Sequence, residues 1–427
     1  MSKVIKKGYA EEANSGYNLR TAMEEASRCL LCIDAPCSKG CPAGTDPGKF
    51  IRSIRFRNVK GAAETIRENN VLGGCCARVC PYDHLCEEAC SRTGIDKPIH
   101  IGKLQRFAIE QEKTFGMKTL VAGTKNGAKV ACVGSGPASL ACAAKLAISG
   151  YDVTIFEAFD KAGGVLTFGI IPSRLPQDVV DYDIKMVEDL GVKFVFNTKV
   201  GKDITIDELK KAGFSAIFVG AGLWASNKVE IKGMDLDGVT TAVEFLKAAR
   251  SSNGKFAVGK EVLVIGGGDV AMDCAATAKL LGAEKVTIVY RRTIEEAPAN
   301  INELAYVQSM GITIVTKFRP AEVLGDKSVI GMAFDGTDGF SGLKIKADTV
   351  VFAIGQGAED MSKIAGFKMN EKGAIVADPE FGVTNVEGLF AAGDIVNGGK
   401  TVVEAVAQGK AAAASIIDYL TKKEGVK

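Results

Sequence analysis

The sequence predicts an α/β protein in which two Rossmann-like dinucleotide-binding folds follow a helical, cysteine-rich N-terminal segment. Three observations carry that expectation. Nine of the twelve cysteines fall at or before position 90. A short apolar strand, a glycine-rich turn, an alanine-rich helix and a second strand succeed one another in KVACVGSGPASLACAAKLAISGYDVTIFEA. The same succession returns roughly 130 residues later in EVLVIGGGDVAMDCAATAKLLGAEKVTIVYRR.

A chain of 427 residues exceeds what one hydrophobic core usually serves, so two or three domains are expected. The formal net charge of +2 gives no footprint for nucleic acid, which needs a clear Lys/Arg excess to neutralise phosphates. The first residues carry lysines with no apolar run behind them, and no stretch reaches the roughly 18 consecutive apolar residues of a membrane span. The expectation is a cytosolic protein with neither nucleic acid nor membrane as a partner.

Residues 17–31 and 48–70 space their apolar side chains three and four apart, so the first part reads as helices joined by cysteine loops. The character changes near residue 115, at a Gly/Lys/Thr-rich linker. After the second βαβ unit, TVVFAIGQ and VEGLFAAGDIV restore short strands, and TVVEAVAQGKAAAASIIDYL reads as a closing helix. The expected domains are residues 1–120, helical; 121–237, the first part of one dinucleotide fold; 238–352, an inserted second fold; and 353–427, the return to the first.

In the first unit Gly134, Gly136 and Ser139 form G-x-G-x-x-S between strand and helix. The glycines permit the turn and a close approach to a pyrophosphate, which then sits on the helix N-terminus. Glu157, at the end of the second strand, is placed to accept from a ribose hydroxyl. In the second unit Gly266, Gly268 and Ala271 give G-x-G-x-x-A, but its second strand ends in Tyr290-Arg291-Arg292 with no carboxylate. Arginines there suit a ribose 2′-phosphate, or simply form a solvated strand end. Two different dinucleotides are implied: FAD in the first fold and NAD(P)H in the second.

Asp394 follows a strand and a glycine in GLFAAGDIVNGGKTVVEAVAQGKAAA, and Thr401 opens the next helix. The segment resembles the flavin-closing motif of flavoproteins with two dinucleotide folds, which implies that the FAD domain is discontinuous. Disulfide-exchanging relatives of that fold carry paired cysteines where this chain reads KAGGVLTFGIIPSRLP. With no cysteine there, electrons must leave the flavin by another route. His84 and His100 read as surface or supporting residues, and hydride transfer demands no protein acid or base.

The N-terminal cysteines form two runs, Cys29-x2-Cys32-x4-Cys37-x3-Cys41-Pro42 and Cys76-x3-Cys80-Pro81-x4-Cys86-x3-Cys90. They supply eight thiolates, enough for two four-ligand sites. Structural zinc also uses short cysteine spacings, but the Cys-Pro endings resemble those of two-cluster ferredoxins, where that cysteine ligates the other cluster. Beside a flavin, two [4Fe-4S] clusters with ligands crossed between the runs are expected. Spacing alone favours Cys76 as the eighth ligand.

The run from CLLCIDAPCSKGCP through CARVCPYDHLCEEAC to PIHIGKLQRFAIE resembles the N-terminal domain of dihydropyrimidine dehydrogenase. It is most similar to the small electron-input subunit of the bacterial two-subunit enzyme, and more loosely to the glutamate synthase small subunit. The resemblance implies one cluster on Cys29, Cys32, Cys37 and Cys90, and another on Cys41, Cys80, Cys86 and the side-chain amide of Gln105, leaving Cys75 and Cys76 to packing. It also implies a flavin ring near Gly163 and Gly164, NADH rather than NADPH, and an FMN-containing partner that reduces the pyrimidine. Arg52, Arg55, Arg57 and Lys60 read as a solvated helix face or as a docking surface for that partner. An input subunit for another acceptor and a non-catalytic iron–sulfur scaffold are the alternatives, and intact glycine motifs speak against the scaffold.

Overall fold

The helical segment is punctuated by caps. Asn18 and Thr21 form a reciprocal box at the start of α1 (Leu19–Ser27), Asp46 and Pro47 open α2 (Pro47–Arg55), and Asn58 caps α3 (Val59–Asn69). Two further helices follow, α4 (Gly73–Val79) and α5 (Ile101–Phe115), the latter stopped by Gly116 in the left-handed region. Their apolar faces bury Phe50, Ile51, Ile54, Ile66, Leu104 and Phe107, with Cys29, Cys37, Cys86 and Cys90 packed against this core. The computed structural model describes residues 8–227, 229–339 and 341–425.

The first parallel sheet begins with β1 (Lys129–Val133), α6 (Pro137–Ile148) and β2 (Asp152–Phe156). Helix α7 (Gln177–Asp189), β3 (Lys193–Val195) and β4 (Phe214–Val219) come next. The second sheet takes β5 (Val239–Thr241), β6 (Glu261–Ile265), α8 (Asp269–Leu280), β7 (Lys285–Tyr290) and β8 (Thr313–Thr316). A three-stranded antiparallel sheet, β9 (Phe318–Gly325), β10 (Val329–Gly336) and β11 (Leu343–Lys346), precedes β12 (Thr349–Phe352). The chain then reaches β13 (Leu389–Ala391) and the closing helix α9 (Val402–Gly425).

Strand order is β13-β4-β1-β2-β3 in the first sheet and β5-β12-β6-β7-β8 in the second, so each places its glycine-bearing strand at the centre. Parallel pairing of Leu389–Ala391 with Ile217–Val219 returns the C-terminal segment to the first sheet. The first dinucleotide fold is therefore discontinuous and the second is inserted into it. Two compact units result: one takes Asn14–Thr167, Gln177–Leu223 and Ala358–Lys427, the other Met1–Ala13, Phe168–Pro176 and Trp224–Gly357. Among the described residues no helix is long and apolar enough to cross a membrane.

Two features tie the helical segment to the first sheet. Arg67 of α3 is fully buried, with Nε 2.9 Å from Glu112 of α5 and NH1 2.7 Å from Asp183 of α7. Asp183 also accepts from the Cys75 amide of α4 at 2.8 Å. Lys410 of α9 donates to the carbonyls of Ala43 at 2.7 Å and Asn69 at 2.5 Å. Helix α9 itself packs tightly on α6, because Gly409 has no side chain: a Cβ there would lie 2.1 Å from the Ala138 carbonyl oxygen.

Candidate functional site

The first glycine-rich turn lies at the carboxyl ends of β1 and β2, where open α/β sheets hold their ligands. Gly134 has φ +83°, and a Cβ there would strike the Gly220 carbonyl at 2.9 Å. Gly136 is the N-cap of α6, and the space beside it is open, with nothing nearer than 3.9 Å to an added Cβ. A phosphate can therefore approach the free amides of the α6 first turn. Ser139 is buried and turns back toward the sheet, with Oγ 3.5 Å from the Val133 carbonyl, so it serves helix–strand packing.

Glu157 is buried one residue beyond β2. Its Oε2 accepts from Ser135 N at 2.8 Å and from the Ser135 hydroxyl, and its Oε1 accepts from Phe159 N at 2.9 Å. The carboxylate thus anchors the glycine loop from the position of a ribose acceptor. Gly163 donates to the same Ser135, and a Cβ on Gly164, whose φ is +56°, would lie 2.9 Å from Gly136 Cα. The chain continues into Phe168–Pro176, which clusters with the other unit. There Ser173 is buried, and Arg174 grips both carboxylate oxygens of Asp273 at 3.0 Å and Glu303 at 3.1 Å.

Gly393, with φ +79°, comes so near α6 that a Cβ would lie 2.9 Å from Ala138 Cβ, which brings Asp394 beside the glycine turn. Burial raises the Asp394 pKa, while the Lys400 amide at 3.2 Å favours the carboxylate. Thr401 is spent on capping α9, exchanging bonds with Glu404 at 2.7 and 3.3 Å. Gly134, Gly136, Glu157, Gly163, Gly164 and Asp394 therefore gather around one cradle, and Thr401 stands at the head of the helix beside it.

In the second unit Gly266 has φ +149° and would carry a Cβ only 2.2 Å from the Ala353 carbonyl, while Gly268 caps α8 and Ala271 is buried against the turn. Arg291 and Arg292 follow β7 directly and are exposed. Neither guanidinium has an ion-pair partner among the described residues.

The cysteines divide into two groups. Burial lifts the Cys37 thiol to about 11, with Cys90 and Cys29 adding to the rise. Burial also raises Cys29, whose charged neighbours include Cys90 and Cys32, while Arg55 opposes the rise. In the other group Cys80 is pushed up by a hydrogen bond with Cys76 and by burial, with Cys86 and Cys41 close by. Cys90 thus lies with the first run and Cys41 with the second, and Cys86 faces both Cys41 and Cys37. Left to the polypeptide the Cys29, Cys37 and Cys80 thiols resist ionisation, and a metal centre would supply the charge that makes them thiolates.

Cys41, Cys76, Cys80, Cys86, Asn70, Gln105 and Val403 of α9 line one cavity. Gln105 donates Nε2 to the Gly73 carbonyl at 2.8 Å, which fixes the amide and leaves Oε1 as its free acceptor. Thr45 turns both its hydroxyl (3.3 Å) and its amide (3.5 Å) to Cys41 Sγ. Among the described residues no three His, Cys, Asp or Glu side chains converge as on a single ion.

His84 is exposed, and His100 has its ring nitrogen 2.7 Å from the Tyr17 hydroxyl, a structural contact. Arg55 holds the Cys29 carbonyl at 3.1 Å, whereas Arg52, Arg57 and Lys60 are exposed. Sequence reasoning missed Arg67, Asn70 and Lys410. The partners of Arg67 and Lys410 lie on distant elements, and Asn70 reads locally as no more than a helix-end asparagine bonded to Leu72 N.

A flavin cradle, a second dinucleotide turn and a helical cysteine domain together define a nicotinamide-dependent flavoprotein oxidoreductase with iron–sulfur centres. Residues 6–117 match the family model of dihydropyrimidine dehydrogenase domain II, 4Fe-4S cluster, and residues 128–409 match that of pyridine nucleotide-disulphide oxidoreductase. The chain belongs to the pyridine nucleotide-disulphide oxidoreductase family, in the branch that carries this iron–sulfur domain and includes the dihydropyrimidine dehydrogenase subunit PreT. It is 44% identical over 416 residues to the NAD-dependent dihydropyrimidine dehydrogenase subunit PreT of Escherichia coli O157:H7, covering 96% of this chain and 97% of that protein. It is 32% identical over 433 residues to the glutamate synthase [NADPH] small chain of Escherichia coli (strain K12), covering 93% and 91%. The structure of Mycobacterium tuberculosis FprA in complex with NADPH shares the fold at TM-score 0.60 and 19% identity, over 70% of this chain and 86% of that one. The chain is an NAD(P)H-dependent electron-input oxidoreductase whose cofactors are FAD, NAD(P)H and [4Fe-4S] iron.

Proposed function

We propose that this chain is the electron-input subunit of a two-subunit dihydropyrimidine dehydrogenase, and that it feeds an FMN-containing partner which interconverts uracil or thymine and the 5,6-dihydropyrimidine. The observation that carries the reading is the 44% identity to the PreT subunit from end to end. When bound, the FAD accepts hydride from the nicotinamide and the clusters carry its electrons onward singly. The chain's own part is positioning: the α6 amides, Glu157 and Asp394 hold the flavin, and the turn at Gly266 and Gly268 holds the nicotinamide dinucleotide.

Cys29, Cys32, Cys37 and Cys90 take one cluster, and Cys41, Cys80, Cys86 and Gln105 the other. The separate grouping of these thiols and the fixed Gln105 amide support that division. Cys76 lines the same cavity and is the rival eighth ligand. Val403, two residues beyond Thr401 at the head of α9, lines that cavity too, which favours the second cluster as first acceptor from the flavin.

The test is turnover by the purified chain. It should oxidise NAD(P)H with an artificial dye and leave uracil untouched until the FMN subunit is added. Uracil reduction by the FMN-free chain alone would refute the assignment. The similarity to the glutamate synthase small chain favours one second reading, an input subunit for another acceptor. Dye turnover without pyrimidine reduction in the presence of the FMN subunit would select it.

A further inference from the structure

The cavity that Cys41, Cys80, Cys86 and Gln105 line also holds a buried amide donor without a partner among the described residues. Asn70 is 1% exposed, follows the last residue of α3 and lines the cavity with Cys41, Cys80, Cys86 and Gln105. Its Oδ1 accepts from Leu72 N at 2.9 Å, which assigns the amide's orientation. Its Nδ2 is buried and has no hydrogen-bond partner among the described residues. A buried donor left unpaired is costly, and native proteins rarely keep one without an acceptor. The rest of the lining is largely apolar, with Pro42, Pro47, Leu85, Ile101 and Val403, and the hydroxyls of Thr45 and Tyr82 do not bond to it.

The loop that carries Asn70 is held from both sides. Lys410 donates to the Asn69 carbonyl, the Arg67 guanidinium donates to the Val71 carbonyl, and Asn70 N bonds Ile66 O at 2.8 Å. So many anchors around one unspent NH2 group are what a preorganised donor requires. Two of the anchoring side chains, Lys410 and Arg67, belong to the contacts that tie the helical segment to the first sheet.

We infer that Asn70 Nδ2 donates a hydrogen bond to a sulfur of the cluster bound in this cavity and thereby raises the reduction potential of that cluster alone. The inference rests on the ligand assignment proposed above. Sulfide and thiolate sulfurs are acceptors, and reduction adds negative charge to them, so a fixed donor stabilises the reduced form more than the oxidised one. Asn70 ligates nothing in this account. It is a positioning and tuning residue for the first electron acceptor.

The test is protein-film voltammetry on the full chain carrying FAD and both clusters. Asn70→Leu should shift the reduction equilibrium of one cluster about tenfold toward the oxidised form, about 59 mV for a one-electron couple, with the other cluster, iron, sulfide and flavin content unchanged. Asn70→Ala removes the same donor without adding bulk or charge and should lower the same potential. A merely structural Asn70 predicts wild-type potentials in the cluster-loaded Asn70→Leu and Asn70→Ala, and that result overturns the inference. Should neither variant keep the cluster, wild-type chain labelled with 15N in the asparagine side-chain amide decides, by pulsed electron resonance of the reduced cluster. A nitrogen coupling from the label supports the hydrogen bond and its absence overturns it. Wild-type chain without a cluster on Cys41, Cys80 and Cys86 would instead mean that the ligand assignment has failed.

Discussion

Replacing Arg67 by alanine should destabilise the unit formed by the helical segment and the first sheet by about 3–5 kcal/mol, the usual loss when one partner of a buried ion pair is removed. The magnitude follows from the site. Arg67, Glu112 and Asp183 have fully buried side chains, and the guanidinium spans the two carboxylates at 2.7–2.9 Å with the Tyr182 ring 5.5 Å away. Burial opposes the Arg67 charge, but Asp183 and Glu112 outweigh it and raise its pKa further. Without the cation both carboxylates remain buried, and only Asp183 keeps amide donors, Cys75 N at 2.8 Å and Gly74 N at 3.4 Å. In a melt followed by flavin fluorescence the loss corresponds to a fall in Tm of roughly 6–20 °C for a domain of this class. Arg67→Met combined with Glu112→Gln and Asp183→Asn should recover most of it, since no unpaired charge is then buried. A loss in Arg67→Ala below about 1 kcal/mol, the worth of a surface pair, would refute the reasoning.

Three further outcomes are expected. Gly164→Ala forces a side chain into a left-handed conformation, costing about 1–2 kcal/mol before its clash with Gly136, and should lower bound FAD in the purified protein; wild-type flavin content would show that this turn does not shape the cradle. Arg292→Ala should raise KM for NADPH about 10- to 100-fold, the worth of one charge-assisted hydrogen bond, and leave NADH unchanged; equal effects on both nucleotides would remove Arg292 from phosphate recognition. Cys37→Ser should take iron from about eight to about four per chain in anaerobically purified protein, sparing the cluster on the other group; loss of all iron would mean that the two sites do not load independently.

The parts legible in the sequence are those whose signal is local. Gly134 and Gly266 each end a short apolar strand and open a helix, so spacing alone locates both turns, and Asp394 after a strand and a glycine announces the return of β13 to the first sheet. The cysteine runs are local too, although the association of Cys90 with Cys29 and of Cys41 with Cys80 needs the fold to be seen. Long-range pairing is what stayed hidden. Arg67 meets Asp183 across 116 positions and Lys410 meets Asn69 across 341. On a helical wheel each is an ordinary charged residue, and only the approach of α7 and α9 to the helical segment gives it a role. The antiparallel strands between Phe318 and Lys346 went unpredicted, since the burial of the two long ones does not follow a clean alternation and the third is only four residues long. The segment Phe168–Pro176 reads as a continuation of the flavin loop, yet it belongs to the unit of the second dinucleotide fold, where Arg174 pairs with Asp273 and Glu303.

In the proposed complex, electrons reach the partner only through the flavin and then the clusters of this chain. The most direct measurement compares wild type with Cys41→Ser, each combined with the FMN subunit, for NAD(P)H oxidation coupled to uracil and for NAD(P)H oxidation by an artificial dye. Wild type should sustain both, and Cys41→Ser should lose the coupled reaction while keeping most dye reduction with its flavin content intact. Coupled uracil reduction that persists at the wild-type rate in Cys41→Ser, after loss of the cluster has been verified by iron analysis, would contradict the claim.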